Sequence, residues 1–187
     1  MIWFCGNSVY YRDTVGNEIV HHNLGTGMRT VKVGVIGVGV LGRHHARLYT
    51  ECEGVELIGV YDQDKQRAAA VAEEVGTRVY PTPAALAEAS EGVSVAVPTD
   101  LHYEFVKRLL EQDRHVLVEK PITETVEQAE DLVAEAARRN LILAVGHVER
   151  YNPVLEVLDK APGIPRFVEA HRLASYPPPR PGMPPRG

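Results

Sequence analysis

Cysteine is scarce in this chain: Cys5 and Cys52 are the two present among 187 residues, and they form no close-spaced pair. That scarcity excludes a disulfide framework and a cysteine-rich zinc site, and it leads us to expect a reducing compartment, the cytoplasm. A basic excess is also missing. Lys and Arg number 20 against 25 Asp and Glu, a formal net charge of −5, so the composition points to no nucleic-acid partner and shows no acidic arm. No apolar run approaches the ~18–20 residues needed to span a bilayer, so no membrane partner is expected. What remains is ordinary for a globular protein, 44% hydrophobic and 24% charged residues. The length allows one full domain and a piece of another.

The two ends differ from the middle. Residues 1–28 show no clear periodicity and no basic-then-apolar signal layout. Met28 lies just before the first convincing strand pattern, so the natural start is expected there and the upstream part reads as an extension; a genuine N-terminal arm is the other reading. Residues 175–187, SYPPPRPGMPPRG, carry six of the chain's thirteen prolines. With so few backbone donors they predict an extended or disordered tail, or a change of reading frame near Ser175, ahead of a Pro-rich ligand for a partner groove.

Between the ends, strand and helix patterns alternate. Short β-branched runs occur at 31–36 (VKVGVI), 55–61 (VELIGVY), 77–80 (TRVY), 93–97 (VSVAV), 115–119 (HVLVE) and 141–146 (LILAVG). Nearly continuous apolar runs of this kind predict parallel strands covered on both faces. Helices are expected after Gly42, over DKQRAAAVAEEV up to Gly76, after Thr82-Pro83, over DLHYEFVKRLLEQD with Phe105, Leu109 and Leu110 on one face, and from Thr125, where Gln128 has capping-box spacing. The alternation predicts an α/β, doubly wound parallel sheet of the Rossmann type, six strands closing near residue 149.

Behind the first strand stands VGVIGVGVLGRHHARLY, with Gly37, Gly39 and Gly42 in G-x-G-x-x-G spacing. A lone match is weak, but here a buried strand precedes it and a helix follows. In that setting Gly37 permits the tight turn, Gly39 lets backbone approach a pyrophosphate, and Gly42 lets helix and strand close up. The N–H groups at the helix start, with Val40 and Leu41, would then hold the phosphates. Asp62 follows the second strand, 20 residues after Gly42, where an acid can accept adenosine-ribose hydroxyls and repel a 2′-phosphate. NAD is therefore expected over NADP. Asp64 fits a turn or cap better. His44 and His45 point about 100° apart on a helix and cannot easily chelate one ion, so a solvated or phosphate-edge role is expected and no metal site.

Two more segments end at the carboxyl edge of predicted strands. In VPTDLHYEF, Pro98, Thr99 and His102 can face the cofactor crevice, or mark a helix start with an exposed histidine. In VLVEKPIT, Glu119 and Lys120 emerge where Pro121 stops the strand. Lys120 can hold or deprotonate a substrate hydroxyl there if partial burial lowers its pKa, or it is a surface lysine.

Taken in order, GVIGVGVLGRHHARLY, VPTDLH, HVLVEKP and GHVERYNP resemble the Gfo/Idh/MocA family, the glucose–fructose oxidoreductase and inositol dehydrogenase group, over about residues 31–174. GHVERYNP followed by PRFVEAHRLA is most similar to the subgroup oxidising UDP-N-acetyl-hexosamines at C3. The resemblance implies a nicotinamide-dependent oxidoreductase acting on a sugar, nucleotide-sugar or cyclitol hydroxyl by hydride transfer to NAD. It implies that Lys120 is the catalytic residue beside nicotinamide and substrate, that Thr99 and His102 line the nicotinamide pocket, and that Arg150, Tyr151 and Asn152 lead into a substrate domain. In the family that domain is an open, mostly antiparallel sheet that often builds a homo-oligomer and carries a histidine–aspartate motif. The 37 residues after Arg150 allow only its beginning, a helix at 154–161 and a strand at 165–173, with the tail from 175; His171 does not match that motif. Two functions are thus expected to compete: a sugar dehydrogenase whose cofactor domain this chain carries, and a non-catalytic NAD-binding module. A purely structural Rossmann-like domain is disfavoured by the intact glycine set and Asp62.

Overall fold

The computed structural model describes residues 30–152, the backbone of three short strands nearer the amino end, and Phe167, Glu169 and His171. Those three strands, β1 (Ile2–Cys5), β2 (Ser8–Tyr11) and β3 (Val20–Asn23), form an antiparallel sheet in the order β1-β2-β3. No element is expected from periodicity in that stretch, yet Cys5 pairs with Ser8 across Gly6-Asn7, a dipeptide suited to a two-residue hairpin.

The second sheet is parallel throughout. Its strands are β4 (Val31–Ile36), β5 (Val55–Tyr61), β6 (Gly92–Val95), β7 (His115–Val118) and β8 (Leu143–Val145), in the order β5-β4-β6-β7-β8. The chain runs outward from β4 to β5, then returns to the other side of β4 and continues through β8. The direction of winding therefore switches between β4 and β6. That is the doubly wound arrangement the alternation predicts, with one correction. Residues 77–80 make a single parallel bridge, Val79 to Val60, and no sixth strand. Two backbone bonds hold it, Val60 N–H to Arg78 O and Tyr80 N–H to Val60 O, both 2.9 Å. Pro81 then follows with no N–H to extend the ladder.

Helices α1 (Val40–Glu51), α2 (Lys65–Val75), α3 (Pro83–Ala89), α4 (Thr99–Glu111) and α5 (Val126–Arg138) cover the sheet. Neighbours on a strand point to opposite faces, and Val35 and Ile36 of β4 enter two different apolar clusters. Val35 joins Val38, Ala46, Val60, Ala68, Val71 and Ala72 beneath α1 and α2. Ile36 joins Leu86, Val106, Leu110 and Leu132 from α3, α4 and α5. Burying strands on both sides is what their unbroken apolar runs require.

The caps largely follow the sequence. Asp64 caps α2, Thr82 caps α3 with Pro83 in its first turn, and Gly76 closes α2 at φ +68°. Thr125 accepts the Gln128 N–H at 3.3 Å, half of a capping box. The return bond is not made, since Gln128 Oε1 is buried with no partner among the described residues.

The chain divides into two units, one ending at Val148 and one starting at Glu149. In the second, Asn152 closes a turn onto Glu149 through its backbone N–H at 3.0 Å and its side-chain amide at 3.1 Å. The helix expected at 154–161 and the tail at 175–187 lie outside the described residues. Of the strand expected at 165–173 only Phe167, Glu169 and His171 are described, none of them in a strand.

Candidate functional site

The turn from β4 into α1 is built by two glycines that tolerate no side chain. Gly37 has φ +83°, and a Cβ there would meet the Ala96 backbone at 2.8 Å. At Gly42 a Cβ would fall 1.7 Å from the Gly37 carbonyl oxygen, so helix and loop touch directly. Gly39 is different: nothing lies within 4 Å of where its Cβ would stand. The first two glycines shape the loop, and the third leaves an open approach to its backbone.

That approach leads to the start of α1, which has no side-chain cap. The first N–H groups of a helix have no partner within it, and they carry the positive end of its dipole. Three of the five helices satisfy theirs with a side chain: α2 with Asp64, α3 with Thr82 and α5 with Thr125. The two without one are α1 and α4, and they follow β4 and β6, the strands that flank the winding switch. In open α/β sheets, ligands bind in that crevice. Val40 and Leu41 are exposed at the first of these helix starts, while Pro98 is exposed and Thr99 half-buried at the second.

Asp62 borders the loop on the β5 side. It is buried, at 7% exposure. Its Oδ2 accepts the Val38 N–H at 2.9 Å and its Oδ1 the Asp64 N–H at 2.9 Å, so the carboxylate draws the glycine loop onto the end of β5. A carboxylate has about four lone-pair sites, and capacity for ribose hydroxyls remains. Arg67, which the sequence pattern gives no reason to single out, places its guanidinium 3.5 Å from Asp62 and 3.1 Å from Asp64. Asp64 is mainly a cap: its carboxyl lies below its ordinary range because the Arg67 backbone N–H bonds it, with the Arg67 charge and the Gln66 N–H adding to the effect. These residues fit a dinucleotide: open backbone at Gly39, uncapped N–H groups, and an acid at the second strand's end.

Beyond β6 the crevice is lined by the segment after β7. His102 is buried at 1% exposure on α4, with Nε2 2.9 Å from the Val97 carbonyl and Nδ1 2.8 Å from the Pro121 carbonyl. It therefore ties the end of β6 to the segment after Lys120, where the Lys120–Pro121 peptide is cis. Glu119 is buried at 6%, and Lys120 is exposed, its ammonium making no hydrogen bond or ion pair among the described residues. Arg150, Tyr151 and Asn152 belong to the second unit.

His45 departs from expectation. It is not solvated, and its Nε2 lies 3.0 Å from Glu119 Oε1. Adjacent spacing on α1 could reveal the missing metal geometry but not a partner 74 residues away. His44 is exposed. Among the described residues no three His, Cys, Asp or Glu side chains are grouped to hold a metal ion, and no helix is long and apolar enough to cross a membrane.

Comparison with known proteins agrees with this geometry. Residues 31–147 match the model of the oxidoreductase family with an NAD-binding Rossmann fold, Gfo/Idh/MocA. The chain is 40% identical over 149 residues to UDP-N-acetylglucosamine 3-dehydrogenase of Acidithiobacillus ferrooxidans, covering 79% of this chain and 47% of that protein. A solved structure of that enzyme superposes with a TM-score of 0.68 at 38% identity, covering 72% of this chain and 44% of the other. Inositol 2-dehydrogenase 3 of Saccharopolyspora erythraea is 38% identical over 127 residues, 66% of this chain and 38% of that protein. GenD2 from gentamicin A biosynthesis, solved in complex with NAD, gives a TM-score of 0.62 at 32% identity, over 65% of this chain and 36% of its own. The chain thus spans less than half the length of these relatives. With the glycine loop, Asp62 and the Glu-Lys-Pro segment all inside the matched region, the chain belongs to the Gfo/Idh/MocA family of NAD-binding Rossmann oxidoreductases.

Proposed function

We propose that this chain is the NAD-binding part of a dehydrogenase that oxidises a secondary hydroxyl of a sugar, nucleotide-sugar or cyclitol. The observation that carries the reading is the pair of uncapped helix starts, α1 and α4, on either side of the winding switch, with Asp62 at one side and Lys120 at the other. Similarity to enzymes named for UDP-N-acetylglucosamine and for inositol supports hydroxyl-bearing rings as substrates.

In this reading Gly39, Val40, Leu41 and Gly42 offer backbone N–H groups to the pyrophosphate, and Asp62 accepts from the adenosine ribose. NAD is favoured over NADP because an acid at the end of β5 disfavours a 2′-phosphate there, and because the Arg67 guanidinium beside it already pairs with two carboxylates. Pro98, Thr99 and the His102 strut form the wall beyond the switch. When bound, the nicotinamide supplies the hydride acceptor. Lys120, exposed and unpaired among the described residues, holds the substrate hydroxyl as a donor, and takes its proton only in its neutral amine form. Arg150, Tyr151 and Asn152 belong with the substrate side, and a homo-oligomer is expected through the second domain.

The alternative is an NAD-binding module without turnover. The two are separated by incubating the full chain with NAD and, in turn, UDP-N-acetylglucosamine, myo-inositol and glucose 6-phosphate, while following NADH absorbance. Turnover that Lys120→Ala abolishes supports the dehydrogenase. Saturable NAD binding with no NADH from any ring alcohol supports the module.

A further inference from the structure

Glu119 stands next to Lys120, yet its carboxylate is buried against three neighbours. Its Oε1 is 3.0 Å from His45 Nε2, and its Oε2 accepts the Lys120 backbone N–H at 3.2 Å. Gly146, just past β8, leaves the room it occupies, since a Cβ there would stand 3.0 Å from the carboxyl carbon. The side chains of His45 and Glu119 are 14% and 7% exposed. A carboxylate can only accept, so the shared proton sits on His45 Nε2. The other ring nitrogen, Nδ1, is buried with no partner among the described residues. Buried polar atoms are rarely left so, and a ring serving the core alone would not need to carry one.

The bond joins two parts of the site. His45 stands on α1, whose first residues form the phosphate loop. Glu119 follows β7 and fixes the backbone from which Lys120 projects. β6 lies between β4 and β7, so the contact spans the strand beyond the switch. We propose that His45 and Glu119 are positioning residues: one hydrogen-bonded strut locks the Lys120 segment to the phosphate-binding helix and so holds the half of the site that receives the nicotinamide. The inference rests on the dinucleotide reading above and adds two residues to it. Neither touches the reacting atoms; both act through Lys120 and the wall beside it.

The strut separates the two ends of the cofactor. The adenosine end depends on Gly37–Gly42 and Asp62, which it does not touch, so ligands lacking nicotinamide are largely insensitive to it. The test is calorimetric titration of the full chain with NADH and with ADP-ribose, for wild type, His45→Ala, His45→Gln, Glu119→Ala and the double alanine variant. Thermal melts of each variant confirm that it is folded. The amide nitrogen of Gln can donate to Glu119 as Nε2 does. Losing a hydrogen bond to a charged group is worth about tenfold in affinity or more. His45→Ala is therefore expected to weaken NADH about tenfold and ADP-ribose less than about threefold, with His45→Gln close to wild type. The double variant is expected to lose no more than either single one, as for residues acting as one unit. Equal weakening of both ligands, additive losses, or no rescue by Gln would overturn the strut. A wild-type chain that binds ADP-ribose no better than a buffer blank overturns the dinucleotide reading itself, and the strut with it.

Discussion

At the scale of single residues, three glycines in one motif do different work, and substitution separates them. Gly42→Ala places a methyl 1.7 Å from the Gly37 oxygen, a backbone atom that cannot step aside. Overpacking of this kind costs about 1–3 kcal/mol, so urea unfolding of Gly42→Ala is expected to show that loss. Gly39→Ala meets nothing within 4 Å, so stability stays within about 0.5 kcal/mol of wild type while NAD affinity falls about tenfold or more, read by melting and titration together. Loss of stability in both variants would mean that Gly39 shapes the fold and not a ligand surface. Asp62→Ala removes an acceptor of the glycine loop and, in the proposed reading, of the ribose, and is expected to weaken NAD by about 1–3 kcal/mol. Unchanged affinity would sink its assignment.

The roles of Gly37, Gly42 and Asp64 are legible in the sequence, because short-range spacing after a strand dictates them. Those of His45 and Arg67 are not. Each is defined by a partner on another element, His45 by Glu119 and Arg67 by Asp62, and an adjacent-histidine pattern raises only the question of a metal.

At the scale of elements, the strand–helix alternation between 31 and 145 is readable because the inner strands β4 and β6 are buried on both faces and α2, α3 and α5 carry start or stop signals. The signals failed where pairing, and not composition, decides the outcome. TRVY has a strand's residues, but Pro81 ends its ladder after one bridge. Residues 2–11 lack periodicity because each strand has only four residues, and the informative pair was Gly6-Asn7 between them.

The outer strands also make pH a probe of packing. At the start of β7, His115 Nδ1 accepts the Ile142 N–H at 3.1 Å, and burial pushes its pKa below the ordinary 6.5. The unfolded chain then binds the proton more readily, so this stability is full above 6.5 and is lost as pH falls through and below it. Urea unfolding at about pH 7.5 and about pH 5 should show a larger loss for wild type than for His115→Asn, whose amide oxygen still accepts from Ile142. Equal losses would place the titration elsewhere. On the far side of β7, Tyr103 and Lys107 of α4 meet Asp131 of α5 at 2.9 and 2.8 Å. Those two bonds hold Asp131's carboxyl below its usual range, the lysine contributing most.

At the scale of the whole molecule, the structure separates one unit ending at Val148 from a second starting at Glu149. The first unit carries the glycine motif, the Glu-Lys-Pro segment, the parallel sheet and the open helix starts. Arg150, Tyr151 and Asn152, proposed for the substrate side, lie in the second unit, and the chain spans less than half the length of the relatives it matches. No short-range pattern in the 187 residues names a substrate. The central claim is therefore about the cofactor, and it needs no substrate to test. Calorimetric titration of the full chain with NAD, repeated in excess ADP-ribose, addresses it most directly. One-to-one, saturable binding that ADP-ribose competes away, and that Gly39→Ala loses, is the predicted result. No saturable binding at millimolar NAD by a chain that melts cooperatively would contradict it.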